Sequence, residues 1–233
     1  MPKAKSAAPK WRRRPQHRPQ QIIEAALEVF GEQGLAKARL QDIAERAGVS
    51  KGTIYLYFPN KEELFREMIR QTAVAAIESG EKALSNGTAT QQLGAAMRGY
   101  WKFVRSPVFS TIYRLVLGEL HQFPDLAQFY ADEVVSRGLR LISSIVRRGI
   151  DTGEFREIDP MTAARMLVAL TVMNGIWSDQ HTGVPLLCHK KEEDVFQELA
   201  HFYFHSLTTT ETASAQADGA PLDAVPFIPI PND

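Results

Sequence analysis

The sequence predicts an all-α chain in which a small N-terminal three-helix unit precedes a larger helical body. Three observations carry this expectation. Apolar residues recur at spacings of three and four along most of the chain, as one buried helix face requires. No stretch alternates apolar and polar residues between hairpin turn signals. Breaks fall at helix-sized intervals, at Asn86-Gly87, Ser106-Pro107, Phe123-Pro124, Gly153, Asp159-Pro160 and Gly183-Val184-Pro185. With 233 residues, 44% of them hydrophobic and 23% charged, the chain has the length for a sizeable core and the balance of a soluble globular protein.

The elements follow in order. Residues 1–18 carry seven basic side chains, no acidic one and three prolines, a composition that buries no core and predicts a disordered basic arm. Pro19 opens a first helix, where its missing N–H costs nothing, and Ile23, Ala26, Leu27 and Phe30 form its apolar face up to Gly34. A second helix turns Leu40, Ile43, Ala44 and Ala47 inward and ends at Gly48. A third runs from Lys51 to Tyr57, with Pro59 after it. Asn60 caps a fourth helix, with Glu63 placed as its capping-box partner. Later helices are expected near 61–84, 89–105, 107–121, 124–151, 160–181 and 192–207. From about Thr208 the sequence turns to Thr, Ala, Ser and Pro and is read as disordered. The expected organisation is an arm (1–18), a three-helix unit (19–65), a helical body (66–207) and a tail (208–233).

The net charge of zero hides an asymmetry. Residues 1–60 hold eleven Lys/Arg against five Asp/Glu, which leaves sixteen against twenty-two for the rest. A basic N-terminal quarter on an acidic body points to a polyanionic partner at one end. The single cysteine, Cys188, excludes an internal disulfide. The N-terminus has no apolar signal core, and the most apolar stretch, Met166–Met173, is far shorter than the ~20 residues that cross a bilayer. The expectation is a cytoplasmic protein with no membrane partner.

The informative stretch is Asp42-Ile43-Ala44-Glu45-Arg46-Ala47-Gly48-Val49-Ser50-Lys51-Gly52-Thr53-Ile54-Tyr55-Leu56-Tyr57-Phe58. Gly48 permits a left-handed turn, Val49 plugs the angle between two helices, and Ser50 caps the second of them. Ile54 and Phe58, four apart, face inward, whereas Lys51 and Tyr55 share an outward face. A short helix with little to bury and much to touch with suits the major groove of double-stranded DNA. Lys51 can donate to guanine, and Gln41 can read adenine or donate to phosphate. Thr53, Tyr55, Tyr57 and Lys61 have the donors to hold phosphate oxygens.

These residues, with Asn60-Lys61-Glu62-Glu63-Leu64-Phe65, resemble the tetracycline-repressor (TetR) family across Pro19–Phe65. The resemblance implies a homodimeric repressor whose first three helices bind a palindromic operator and whose later helices hold an effector pocket and the dimer interface. By position it implies DNA contacts from Lys51, Thr53, Tyr55, Tyr57 and Lys61, with Gln41 as a candidate base reader. One departure is Arg39, where the family usually has Ser or Thr before the second helix. Either that helix starts elsewhere, or Arg39 itself reaches a phosphate.

In the body, Leu126, Phe129, Tyr130, Val134, Leu141 and Ile145 form an inward stripe along 124–151. The segment Arg147-Arg148-Gly149-Ile150-Asp151-Thr152-Gly153-Glu154-Phe155 resembles C-terminal regions of the same family. The 160–181 helix is apolar on nearly every side and must be covered all round. Met166, Leu170 and Met173 there, with Phe196, Leu199, Phe202 and Tyr203 on the last helix, are expected to form an isologous four-helix dimer interface. Trp101, Phe103, Phe109, Tyr113, Phe123, Phe129 and Trp177 supply the aromatic lining for an unknown small hydrophobic effector, with Tyr113, His121 or Asn174 as polar fixing points.

Rival readings are thin. His201 and His205 lie four apart, with Cys188, His189 and His181 near in sequence, so a metal- or redox-responsive regulator is an alternative, but no metal or cofactor is expected. A ligand-independent regulator and a non-DNA helical adaptor are the others. No phosphate-binding loop, Gly-x-Ser-x-Gly or His-Glu-x-x-His motif occurs, so no enzyme is expected.

Overall fold

The computed structural model describes residues 18–83, 87–178, 186–187 and 189–208. Among them every regular element is helical: α1 (Arg18–Gln33), α2 (Leu40–Arg46), α3 (Lys51–Tyr57), α4 (Lys61–Ile69), α5 (Ala75–Ala83), α6 (Ala89–Val104), α7 (Pro107–Gly118), α8 (Pro124–Tyr130), α9 (Arg137–Asp151), α10 (Pro160–Ser178) and α11 (Glu192–Leu207). The all-α expectation holds. The basic arm before Arg18, the 208–233 tail beyond Thr208, Cys188 and His181 lie outside the described residues.

The chain divides into two compact units, the first ending at Met68 and the second beginning at Ile69. In the first, Ile22, Ala26, Val29 and Phe30 of α1 are buried together with Leu40, Ile43, Ile54, Phe58, Leu64 and Phe65. Phe30 and Phe65 meet edge to face, with centroids 6.2 Å apart. Asn60 caps α4 as expected, its Oδ1 accepting from Glu63 N at 2.7 Å. The Glu63 carboxylate turns instead to Arg66, at 2.6 Å.

In the second unit, α9 and α11 both pack on α6 and α10, and α6 and α10 pack on each other. Leu93, Met97, Trp101, Ile145, Val146, Leu167, Phe196 and Tyr203 belong to its buried cluster. The α6–α10 crossing is tight because Gly175 has no side chain; a Cβ there would collide with Val104. Two runs expected as plain helices each contain a π turn, at Arg70–Val74 and at Ala131–Ser136, and these two turns touch each other. The wider turn shifts the apolar stripe without breaking the helix, so spacing alone does not reveal it.

The start of α6 is held by the turn after α9. Glu154 accepts from Ala89 N at 2.9 Å and Thr90 N at 2.8 Å, so a carboxylate sits on a helix N-terminus and satisfies N–H groups that have no partner within the helix. Thr88 and Gln91 complete a capping box on the same turn. Burial works against the Glu154 charge, yet hydrogen bonds from the Thr90 and Ala89 N–H groups and from the Thr90 and Thr152 hydroxyls outweigh it and hold the carboxyl below the usual range. A carboxyl lowered on folding stabilises the fold above its unfolded value, and that contribution is lost as pH falls through the folded one. Below a pH of about 4.5, the urea midpoint of the native chain should fall more steeply than that of Glu154→Gln. Parallel pH dependences would show that this carboxylate does not secure the junction.

Candidate nucleic-acid interface and effector body

Arg39 occupies the N-cap position of α2 in extended conformation (φ −119°, ψ 144°), makes no capping bond, and leaves its guanidinium exposed. The helix therefore starts where the family pattern places it, without a side-chain cap. At the other end Ala47 N donates to Ile43 O and Val49 N to Ala44 O, both at 2.9 Å, while Gly48 takes φ +64°. That left-handed residue closes the turn, and a side chain there would be strained. Ser50 then caps α3, its Oγ accepting from Thr53 N at 3.1 Å. Its hydroxyl also lies 2.8 Å from Thr53 Oγ1, so the Thr53 hydroxyl is already engaged.

Burial of Ile54 and Phe58 fixes which flank of α3 faces away. The exposed flank carries Lys51, Gly52, Tyr55, Leu56 and Tyr57. Leu56 is 84% exposed and Tyr55 49%, more than a helix with only structural duties would show for large apolar side chains. Sequence reasoning passed over Leu56; its spacing from Ile54 and Phe58 placed it outward, but an aliphatic residue gives no chemical signal of its own. Gly52 is also unexplained by packing, since a Cβ there would meet only Ser50 Oγ, at 3.9 Å. Gln41 is exposed at the start of α2, its amide 3.3 Å from Glu45.

Arg46 ties the end of α2 to α1. It forks onto Glu32 at 2.9 and 2.7 Å and reaches Glu28 at 2.9 Å, and its hydrogen bonding holds the Glu32 carboxyl below the usual range. Such exposed pairs contribute little stability, so orientation is the larger effect.

Lys61 requires a correction. It was expected to hold phosphate, but its ammonium donates to the carbonyls of Leu35 at 2.8 Å, Ala36 at 2.7 Å and Ala38 at 3.4 Å. Its three N–H donors are directed into the α1–α2 connection. Lys61→Met should therefore lower unfolding stability by about 1–2 kcal/mol, read by urea titration, because carbonyls paired with a charge lose their donor. An unchanged midpoint would return Lys61 to the phosphate contacts.

The expected effector and interface residues separate into distinct environments. Phe109 stacks on Tyr113 (5.5 Å, 20°) and meets Phe103 edge-on at 5.6 Å. Arg70 lies 5.2 Å over the half-buried Phe129 ring. Trp101 is part of the closed core, 6.2 Å from Phe196, so it is not a free lining residue. His121 sits exposed on the Leu120–Gln122 turn and is corrected from the polar fixing points. Asn174 donates to Leu170 O at 2.8 Å, and Trp177 is half-buried.

Phe196, Leu199 and Tyr203 are buried within the chain's own core, and the Tyr203 hydroxyl donates to Ala163 O at 2.7 Å. These were expected in the dimer interface and are corrected to core: α11 turns them toward α6 and α10. On the bare side, Phe202 is 63% and Met166 52% exposed, with Met161 and Met173 also exposed and Leu170 half-buried. The His201 and His205 rings lie 4.4 Å apart, tilted by 39°, on exposed α11 surface, but among the described residues no group of three or more His, Cys, Asp or Glu could hold a metal. No helix of the described residues is long and apolar enough to cross a membrane.

Comparison with known proteins agrees with this geometry. Residues 22–68 match the bacterial regulatory proteins of the tetR family, and residues 91–209 match the AefR-like transcriptional repressor C-terminal domain. The chain is 30% identical over 165 residues to the fatty acid metabolism regulator protein of Bacillus subtilis, covering 69% of this chain and 84% of that one. The structure of transcriptional regulator FadR from Bacillus subtilis in complex with stearoyl-CoA superposes with a TM-score of 0.65 at 25% identity, covering 80% of this chain and 98% of that one. A putative transcriptional regulator from Saccharomonospora viridis, in complex with choline, shares the fold with a TM-score of 0.68 at 23% identity, covering 83% and 99%. With an exposed α3 flank on a helix-turn-helix and both parts of the chain matched, the protein belongs to the TetR family of bacterial transcriptional regulators.

Proposed function

We propose that this chain is a cytoplasmic, homodimeric repressor that holds a palindromic operator through α3 and leaves it when a small apolar molecule binds the second unit. The observation that carries the DNA part is the α3 flank of Lys51, Tyr55, Leu56 and Tyr57, bare while Ile54 and Phe58 are buried. Lys51 and Gln41 are assigned to base edges, Tyr55, Tyr57 and Arg39 to phosphates, and Leu56 to a thymine methyl. Gly52 lets the backbone approach the duplex, since nothing within the protein needs the missing side chain.

The bare Met161, Met166, Met173 and Phe202 side chains support pairing of two chains through α10 and α11. A single seven-residue helix reads too few bases to be selective, and a two-fold pair doubles the reading. Similarity to a fatty acid metabolism regulator makes long-chain acyl compounds the first effectors to test. Release then follows from differential affinity: a ligand favouring the conformer that fits the operator poorly lowers DNA binding by that difference. The role is regulatory rather than catalytic.

Fluorescence anisotropy on a selected operator tests the interface. Gly52→Ala should leave folding stability unchanged or raised by up to about 0.5 kcal/mol, yet weaken operator binding by at least about tenfold, because the new methyl meets the duplex. Normal binding by this variant would remove α3 from the contact surface. Lys51→Ala and Gln41→Ala should each relax preference at one base position by about 1–3 kcal/mol, and unaltered preferences would take them off the base-reading set. Stearoyl-CoA should lower the anisotropy; no effect would point to a different effector class.

A further inference from the structure

α11 presents two histidines on the side that its own chain leaves bare. Val195, Leu199 and Tyr203 point into the core. At about 3.6 residues per turn, His201 and His205 leave the helix on the opposite side, and both are exposed. Four apart, they are neighbours on that surface, and their ring centroids lie 4.4 Å from each other. Among the described residues neither imidazole has a hydrogen-bond or ion-pair partner, so the nitrogens of both rings are open. A tetrahedral ion held about 2.0–2.1 Å from each of two nitrogens needs them roughly 3.3 Å apart. Rings 4.4 Å apart can present such a pair with a small turn of one exposed side chain. The described residues supply no third ligand. Glu198, one turn back on the same side, is held by Lys190 at 2.7 Å. Asp194 shares that side but stands about two turns from His201.

We propose that His201 and His205 are half of a zinc-type metal site, completed by the same pair from a second copy of the chain; this rests on the pairing through α10 and α11 given above. Phe202 stands between the two histidines in sequence and is 63% exposed. Covering it with a second α11 brings its neighbours to the seam. Around a two-fold axis a residue near the axis meets its own copy, so two ligands become four. Four nitrogen ligands match the tetrahedral set that a zinc ion takes, and imidazole also suits copper and nickel. One chain alone offers half of that set and leaves the remaining positions to water. The site therefore couples metal occupancy to pairing: an ion held by both chains stabilises the pair by its preference for the pair over separate chains. Operator binding rises with it, because two recognition helices held together read more bases than one.

The test uses the full-length protein stripped with EDTA and returned to metal-free buffer. Zinc titrated by calorimetry should bind at about one ion per two chains, and cobalt in its place should give the intense visible bands of a tetrahedral site. His201→Ala and His205→Ala should each weaken zinc binding by at least about tenfold and remove the cobalt bands. Both side chains are exposed, and matched helix content checks the fold; His201→Gln and His205→Gln repeat the measurement with a side chain of nearer size. In sedimentation, zinc should tighten the native pair by at least about tenfold and leave the double variant unaffected. One ion per chain, an octahedral cobalt spectrum, or zinc affinity indifferent to both histidines overturns the proposal. A pair that forms and binds its operator but takes up no zinc contradicts this site and leaves the repressor reading standing. A chain that stays single with zinc absent and present contradicts the pairing on which the site depends.

Discussion

The arrangement depends on one constraint: α3 is too short to be helical by itself and exists because one side of it is pinned. Seven residues form fewer than the turns an isolated helix needs in water. Its stability comes from Ile54 and Phe58, both buried, and from the Ser50 cap that satisfies the first turn. The positive φ at Gly48 sets the direction from which α3 leaves α2. With these fixed, the opposite flank has no choice but solvent, and its side chains stay available to a partner. Preorganisation of this kind keeps down the ordering cost of binding.

The second unit shows the same division of labour on a larger scale. Residues on one side of α11 close the core, while Phe202 on the other side stays bare, as do Met161, Met166 and Met173 of α10. Methionine adapts its shape to whatever packs on it, which suits the proposed pairing of two chains through this surface. Inside, among the described residues, Trp101 Nε1, Arg105 Nε and Thr171 Oγ1 are buried without a hydrogen-bond partner. A regulator needs these two properties together: a rigid reading head, and a body with an unsatisfied interior whose ligand can shift populations.

Much of this was legible in the sequence. Gly48, Ser50 and the Ile54–Phe58 pair announce a helix-turn-helix because backbone geometry demands those residue types locally. Pro107, Pro124 and Pro160 mark helix starts for the same reason. What the sequence left open depends on three-dimensional neighbours. Lys61 looked like a phosphate ligand until three carbonyls, some 25 residues upstream, were found around its ammonium. Periodicity placed Phe196, Leu199, Phe202 and Tyr203 on an apolar helix, but could not say which of them the chain itself covers. The π turns were hidden because an added residue per turn leaves composition unchanged.

The claim that the exposed side of α3 reads DNA as part of a two-fold pair is tested most directly by selecting bound duplexes from a random pool and sequencing them. The account predicts enrichment of one short sequence present as two inverted copies about one helical turn, or a multiple of it, apart, with retention that falls steeply as salt is raised. A pool that stays random, or an enriched sequence lacking inverted symmetry, would contradict it.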